Sequence, residues 1–259
     1  MNSIEQHISK DGSSTLYSKQ FEQFYHNPNG AISESKHVFF EQSGILKFLK
    51  RTNNSISIFE MGFGTGLNLL LLMEYLNKFD VKIPIHFFSV EAYPAAPEWI
   101  KNINYPNYLD ITITSNQWAS CFAKLNEGWN TISLPAYPEL HLSVFKGFFK
   151  DMPAPKESID YFFHDPFSPE VNSELWTVTT FQKLKQFATP DAVLSTYCAA
   201  SKARAAMAKA GWLVAKANGA LGKREMTVAS LNENKLIHLR RVNEPRLIQK
   251  FDHSDFSEN

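Results

Sequence analysis

Between residues 56 and 231 the apolar positions fall into short unbroken runs that alternate with stretches of helical periodicity. Ile56–Glu60 and Ile85–Glu91 are apolar almost throughout, which predicts strands covered on both faces. Leu67–Phe79 carries a leucine run at helix length and predicts the first helix. Further strands are predicted at Leu140–Phe145, Ile159–Asp165 and Ala192–Tyr197, and helices at Ser115–Leu125, Ser173–Phe187 and Ser201–Ala210, the last ended by Gly211. Pro94 and Pro97 favour a helix start ahead of Trp99 and Ile100. Asn126–Pro138, with Gly128, Pro135 and Pro138, reads as a loop. Trp212–Ala217 and Glu225–Leu231 predict two final strands joined by the turn Asn218–Arg224 with no helix between them, hence an antiparallel hairpin. The alternation predicts an α/β domain built on a mostly parallel seven-stranded sheet.

The two ends read differently. Residues 1–50 carry turn chemistry at Asp11-Gly12-Ser13, a strand candidate at Thr15-Leu16-Tyr17, aromatic bulk at Phe21, Phe24 and Tyr25, and a strong turn at Asn27-Pro28-Asn29-Gly30. They are expected to form an N-terminal extension packed on a main domain of residues 51–245. Residues 246–259 are polar and charged and are expected to fray. Lysine plus arginine and aspartate plus glutamate each number 26 of the 259 residues, so no global field attracts a polyanion and any such site must be a local patch. Cys121 and Cys198 are too few and too far apart for a disulfide framework, which suits a reducing compartment. No signal-type apolar region opens the chain, and no apolar run approaches the ~18–20 residues that cross a bilayer. The expectation is a cytoplasmic protein with no membrane partner.

The joint between the first strand and the first helix is Glu60-Met61-Gly62-Phe63-Gly64-Thr65-Gly66-Leu67-Asn68. Its three glycines let the backbone turn sharply and approach a ligand with no Cβ in the way. A dinucleotide fingerprint requires G-x-G-x-x-G with a pyrophosphate at the helix N-terminus. Here the order is G-x-G-x-G, and Glu60 would repel a pyrophosphate while suiting the ammonium of an amino acid. That combination resembles the first motif of the Rossmann-like class I S-adenosylmethionine-dependent methyltransferases. A glycine-rich turn without a ligand is the competing reading.

Three further groups carry candidate chemistry. Glu91, at the end of the second strand, is placed to accept two hydrogen bonds from ribose hydroxyls. In Phe163-His164-Asp165-Pro166-Phe167-Ser168-Pro169, Asp165 would face the same crevice and orient an amine while taking or relaying its proton. Phe167 would wall a substrate slot. The alternative makes Asp165 a turn cap and Phe167 core; His164 reads as a packing or hydrogen-bonding residue. In Gly219–Met226, Lys223 and Arg224 between glycines suit phosphate, and basic residues recur at Lys202, Arg204, Lys209, Lys216, Arg240, Arg241 and Arg246. A solvated charged surface explains these equally well. Scattered histidines give a metal site no support.

Taken together, these residues resemble the methyltransferase domain of the MnmC family, which acts on the tRNA wobble uridine. The resemblance runs through Glu60–Asn68, Phe88-Ser89-Val90-Glu91-Ala92-Tyr93-Pro94, His164–Pro169 with Trp176, Ser195-Thr196-Tyr197 and Gly222-Lys223-Arg224-Glu225-Met226, and includes Asp11-Gly12-Ser13 and His37-Val38-Phe39. It implies S-adenosyl-L-methionine as cofactor, bound by Glu60, Gly62, Gly64, Gly66 and Asn68 on the methionine side, by Glu91 and Ala92 at the ribose, and by Asp165. It implies Asp165 and Phe167 as catalytic residues, with Phe167, Lys223, Arg224 and Glu225 on the substrate side. The implied reaction converts 5-aminomethyl-(2-thio)uridine in tRNA to its methylaminomethyl form. Two-domain members carry an FAD-dependent oxidase; this chain is expected to be the stand-alone methyltransferase, with a separate oxidase or another wobble-modifying enzyme as partner. The family usually has Gly-Asp after the third strand, its acid near the adenine. Here the sequence is Gly147-Phe148-Phe149-Lys150-Asp151, which leaves Phe148, Asp151 or backbone groups for that contact. The competing functions are amine methylation of DNA, protein or a small molecule, and a non-catalytic RNA-binding protein on the same fold.

Overall fold

The computed structural model describes residues 4–51 and 53–253. Ile4–Ile8 (β1), Ser14–Ser18 (β2) and Gln23–Phe24 (β3) form a small antiparallel sheet. Ala31–Ser35 (α1) runs on as a π-helical stretch over Lys36–Glu41, and Ile45–Leu49 (α2) closes the extension. Asp11 explains the Asp-Gly-Ser turn: its carboxylate accepts from the Ser9 and Ser13 hydroxyls and from Ser33 N (3.0 Å) and Oγ (2.8 Å), tying the turn to α1.

The main sheet has nine strands. Ile56–Met61 (β4) pairs in parallel with Ile85–Glu91 (β5) and with Ile159–His164 (β8). Outside these lie Leu140–Lys146 (β7), parallel to β5, and Ala188–Thr196 (β9), parallel to β8. Leu213–Asn218 (β10) and Glu225–Ser230 (β11) form the expected antiparallel hairpin, with β11 beside β9. Two short edge strands bring the expected seven to nine. Gly128–Ile132 (β6) pairs antiparallel with β7 where a loop is predicted, and Arg240–Arg241 (β12) pairs with β10. The order β12-β10-β11-β9-β8-β4-β5-β7-β6 reverses direction of growth at β4, which opens a crevice at the carboxyl ends of β4 and its neighbours.

Leu67–Phe79 (α3) is buried all round over Leu67–Met73 because it is covered twice. The sheet takes one side, and the extension takes the other, with Phe40 5.0 Å from Tyr75 between ring centroids and Lys36 paired to Glu74 at 2.6 Å. Pro97–Lys101 (α4) and Ser115–Ala123 (α5) complete that side; α5 is started by a capping box between Thr114 and Gln117. On the opposite face Val178–Phe187 (α6) and Ser201–Lys209 (α7) cover Phe59, Phe88, Phe162 and Trp212. Glu244–Asp252 (α8) stands where a frayed tail is expected. Asn243 caps it by accepting from Arg246 N at 3.0 Å, and Ile248 and Phe251 pack onto the α6–α7 core. No helix among the described residues is long and apolar enough to cross a membrane.

Candidate active site

Gly62 and Gly66 are required by contact as well as by dihedral. Gly62 has φ 89°, and a Cβ there would lie 2.9 Å from the backbone O of Asp165. Gly66 has φ 74°, and a Cβ would meet the Trp118 ring at 2.1 Å. Trp118 also donates from Nε1 to Thr65 O at 3.0 Å, so α5 and the loop after β8 wedge the turn from two sides.

The turn borders a cavity of about 520 Å³, within the range of small-molecule sites. Of the predicted residues, Gly62, Gly64, Glu91, Ala92, Asp165 and Phe167 line it. The Glu91 carboxylate accepts from Gly64 N and from Tyr93 N, both at 2.8 Å, which binds the end of β5 to the glycine turn. Burial raises the Glu91 carboxyl above the ordinary range, against the pull of those backbone donors.

Glu60, Gly66 and Asn68 stand behind this wall rather than on it. Every residue of β4 is buried, and Glu60 is 1% exposed. Its carboxyl accepts from Ser89 Oγ at 2.8 Å and from Asn68 Nδ2 at 3.0 Å, and burial pushes it up to about 8. The same Asn68 amide donates to Asp165 Oδ2 at 3.1 Å. Asp165 is raised well above the carboxylate range, first by burial and then by Glu60. Burial favours the protonated form, and once ionised such a carboxylate is a stronger base than a solvated one.

Phe167 sits in an aromatic cluster that the extension completes. Its ring centroid is 5.1 Å from Phe21 and 5.3 Å from Tyr25, and Phe21 reaches on to Tyr93 at 5.5 Å. Trp176 Nε1 donates to Phe167 O at 2.9 Å, and Tyr197 OH donates to Pro166 O at 2.8 Å, fixing the loop from behind. His164 is a packing residue: buried, edge-on to Trp176 at 4.6 Å and lowered by burial to about 3, hence neutral. Phe21, Tyr25 and His26 line the cavity but carry no sequence signal beyond aromatic bulk. His26 is anchored by its Nε2 to the Thr65 hydroxyl at 2.8 Å.

Lys223, Arg224 and Glu225 lie off the cavity. Lys223 and Arg224 are exposed, with Lys223 Nζ 2.7 Å from Glu34 Oε1 and above the Tyr197 ring. Glu225 holds three cations: buried Arg204 at 3.0 Å, Lys216 at 2.9 Å and Arg240 at 3.2 Å. Lys209 is paired with Asp252, and Arg241 with Glu244. Among the described residues Arg224, Lys202 and Arg246 make no ion pair. Most of the recurrent basic positions are therefore engaged in ion pairs.

A nucleotide-sized cavity at a topological switch point, a glycine turn and a strand-end carboxylate suit S-adenosyl-L-methionine. A family model described as S-adenosyl-L-methionine-dependent methyltransferase matches residues 112–232. The chain is 28% identical over 223 residues to the tRNA 5-methylaminomethyl-2-thiouridine biosynthesis bifunctional protein MnmC of Leptospira interrogans, covering 85% of this chain and 34% of that protein. Against the protein of the same name from Cupriavidus metallidurans it is 31% identical over 225 residues, covering 86% and 33%. The chain thus spans about a third of the length of these relatives. The crystal structure of MNMC2 from Aquifex aeolicus superposes with a TM-score of 0.73 at 25% identity, covering 97% of this chain and 76% of that one.

The fold and the cofactor family define a class I S-adenosyl-L-methionine-dependent methyltransferase. Within that class, the chain is similar to the proteins named MnmC and to MNMC2.

Proposed function

We propose that the chain methylates the primary amine of 5-aminomethyl-(2-thio)uridine at the wobble position of tRNA. The observation that carries this reading is Asp165 on the wall of a cavity that Gly62 and Phe167 also line. It is supported by the similarity to proteins named for tRNA 5-methylaminomethyl-2-thiouridine biosynthesis.

In this reading Gly62 and Gly64 admit the methionine end of the cofactor, and Glu91 and Ala92 receive the ribose. Asn68 and Glu60 act from behind by holding Asp165. S-adenosyl-L-methionine supplies a sulfonium-activated methyl group, so the protein's main task is alignment, a contribution that can reach ~7–11 kcal/mol. Asp165 orients the acceptor amine and takes or relays its proton, since a protonated amine cannot attack. Phe167, backed by Phe21 and Tyr25, offers an aromatic wall to the uridine. Exposed Lys223 and Arg224 meet phosphates, while Glu225 shapes their loop by anchoring Arg204. A separate FAD-dependent oxidase or another wobble-modifying enzyme would supply the amine, and the setting would be cytoplasmic.

The test is mass spectrometry of nucleosides after incubation of the protein with labelled cofactor and tRNA carrying the aminomethyl nucleoside. The expected result is conversion of that nucleoside to the methylaminomethyl form. Label appearing in DNA, protein or a small amine while the tRNA stays unlabelled would favour another acceptor.

A further inference from the structure

The loop that follows β7 has an arrangement that bears on how the cofactor's base is held. Lys183, from α6, turns its ammonium into this loop and donates to three carbonyls: Phe149 O at 2.7 Å, Met152 O at 2.8 Å and Lys150 O at 3.0 Å. It also lies 4.8 Å above the Phe149 ring. Phe148 O accepts from Asp151 N at 3.0 Å, and Glu91 O accepts from Gly147 N at 2.9 Å. The carbonyls of Glu91, Phe148, Phe149, Lys150 and Met152 are therefore engaged within the protein. Asp151, the acid of the loop, is exposed and lies off the cavity wall.

What the loop does present to the cavity is a ring. Phe148 is 49% exposed at the mouth and meets Tyr93, 44% exposed, edge to face at 5.9 Å. Both follow directly on strands β5 and β7, next to Glu91. Of the other polar side chains on that wall, Asn172, Glu174 and Thr179 are half-buried or exposed, so any contact they make competes with water, and buried Thr180 is already engaged, its hydroxyl donating to Glu174 O at 2.7 Å and accepting from Thr177 Oγ1 at 3.2 Å.

We propose that the purine of the methyl donor is held by the Phe148 and Tyr93 rings without a buried acceptor for its exocyclic amine, and that Lys183 is the positioning residue that enforces this. Lys183 engages the backbone carbonyls that would otherwise accept from the amine and fixes the Phe148 turn against α6. The functional consequence is a relaxed choice of donor base. A site built to hydrogen-bond a substrate group rejects an analogue lacking it by about 10⁴-fold, whereas apolar and stacking contact discriminates far less. The inference rests on the cofactor placement proposed above, with the ribose at Glu91.

Calorimetric titration of the whole chain with S-adenosylhomocysteine and with S-inosylhomocysteine, in which an oxo group replaces the amine, tests it. The expected Kd values lie within about tenfold of one another. A preference for the adenine compound greater than tenfold overturns the proposal. Lys183→Met frees those carbonyls and is expected to raise the preference for the adenine compound by about fivefold or more, whereas Phe148→Ala weakens both ligands by a similar factor, about fivefold or more, with the unfolding midpoint recorded for each. Unchanged affinities in either variant overturn the role given to that residue. Glu91→Gln separates the two levels of the argument. It should weaken both ligands, and if it does not, the cofactor placement fails before the base recognition does.

Discussion

Asn68 donates from Nδ2 to Asp165 Oδ2 at 3.1 Å while the same nitrogen donates to Glu60 Oε1 at 3.0 Å. One amide, on the first turn of α3, thus joins two raised carboxyls, one behind the glycine turn and one on the cavity wall. The link explains how a buried acid off the wall can still act on the one that faces it.

Asn68→Ala removes a donor from both acids at once. The expected cost is about 1–3 kcal/mol of stability, as when a buried polar group loses its partner. Turnover should fall as well, because Asp165 is no longer oriented. Urea unfolding and initial rates check the two effects, and a variant as stable and as active as the parent would show that the bridge holds nothing.

Glu60 makes stability depend on pH in a stated direction. Burial keeps its carboxyl protonated up to about 8 in the folded chain, against 4.5 for the free group. Between these values the folded state holds a proton that the unfolded state has lost, so this group's contribution falls as pH rises through the window and levels off above it. Glu60→Gln removes the effect. The variant should gain stability over the parent progressively from about pH 5 to about pH 8. A difference between the two that stays constant across the window would contradict this.

How much of this could be read from the residues depends on how local the signal is. The runs Ile56–Met61 and Leu67–Phe79 announce themselves, because burial on both sides demands apolar residues throughout. Glu91 and Asp165 follow from topology, since parallel strands deliver their carboxyl ends to one crevice. Strand β6 is hidden because Gly128 and nearby prolines look like loop, and its pairing with β7 is a tertiary fact. For α8 the signal is present in Asn243-Glu244-Pro245 and in the spacing of Ile248 and Phe251, but the charge around it masks the stripe. Phe21 and Tyr25 depend on how the extension folds back, and a helical lysine such as Lys183 reads as a solvated side chain. Glu60 was legible as an acid beside the turn, but not as one enclosed by Ser89 and Asn68.

Glu225 should behave as a structural acid. Hydrogen bonding by Lys216, and after it by Arg204, outweighs burial and lowers its carboxyl to about 2. Its stabilising effect is therefore present above about 4.5 and lost as pH falls toward 2. Glu225→Gln leaves the buried Arg204 guanidinium without its counter-charge, at an expected cost of up to about 3 kcal/mol. Chemical denaturation measures it, and the loss should be largest at neutral pH. Cofactor affinity should be nearly unchanged, since Glu225 lies off the cavity.

The most direct measurement compares cofactor binding with turnover in Asp165→Ala. The expected outcome is a Kd for S-adenosyl-L-methionine within a few-fold of the parent and a methylation rate on aminomethyl-bearing tRNA reduced by about 100-fold or more. Unaltered turnover in a folded variant that binds cofactor would remove Asp165 from the mechanism and contradict the account.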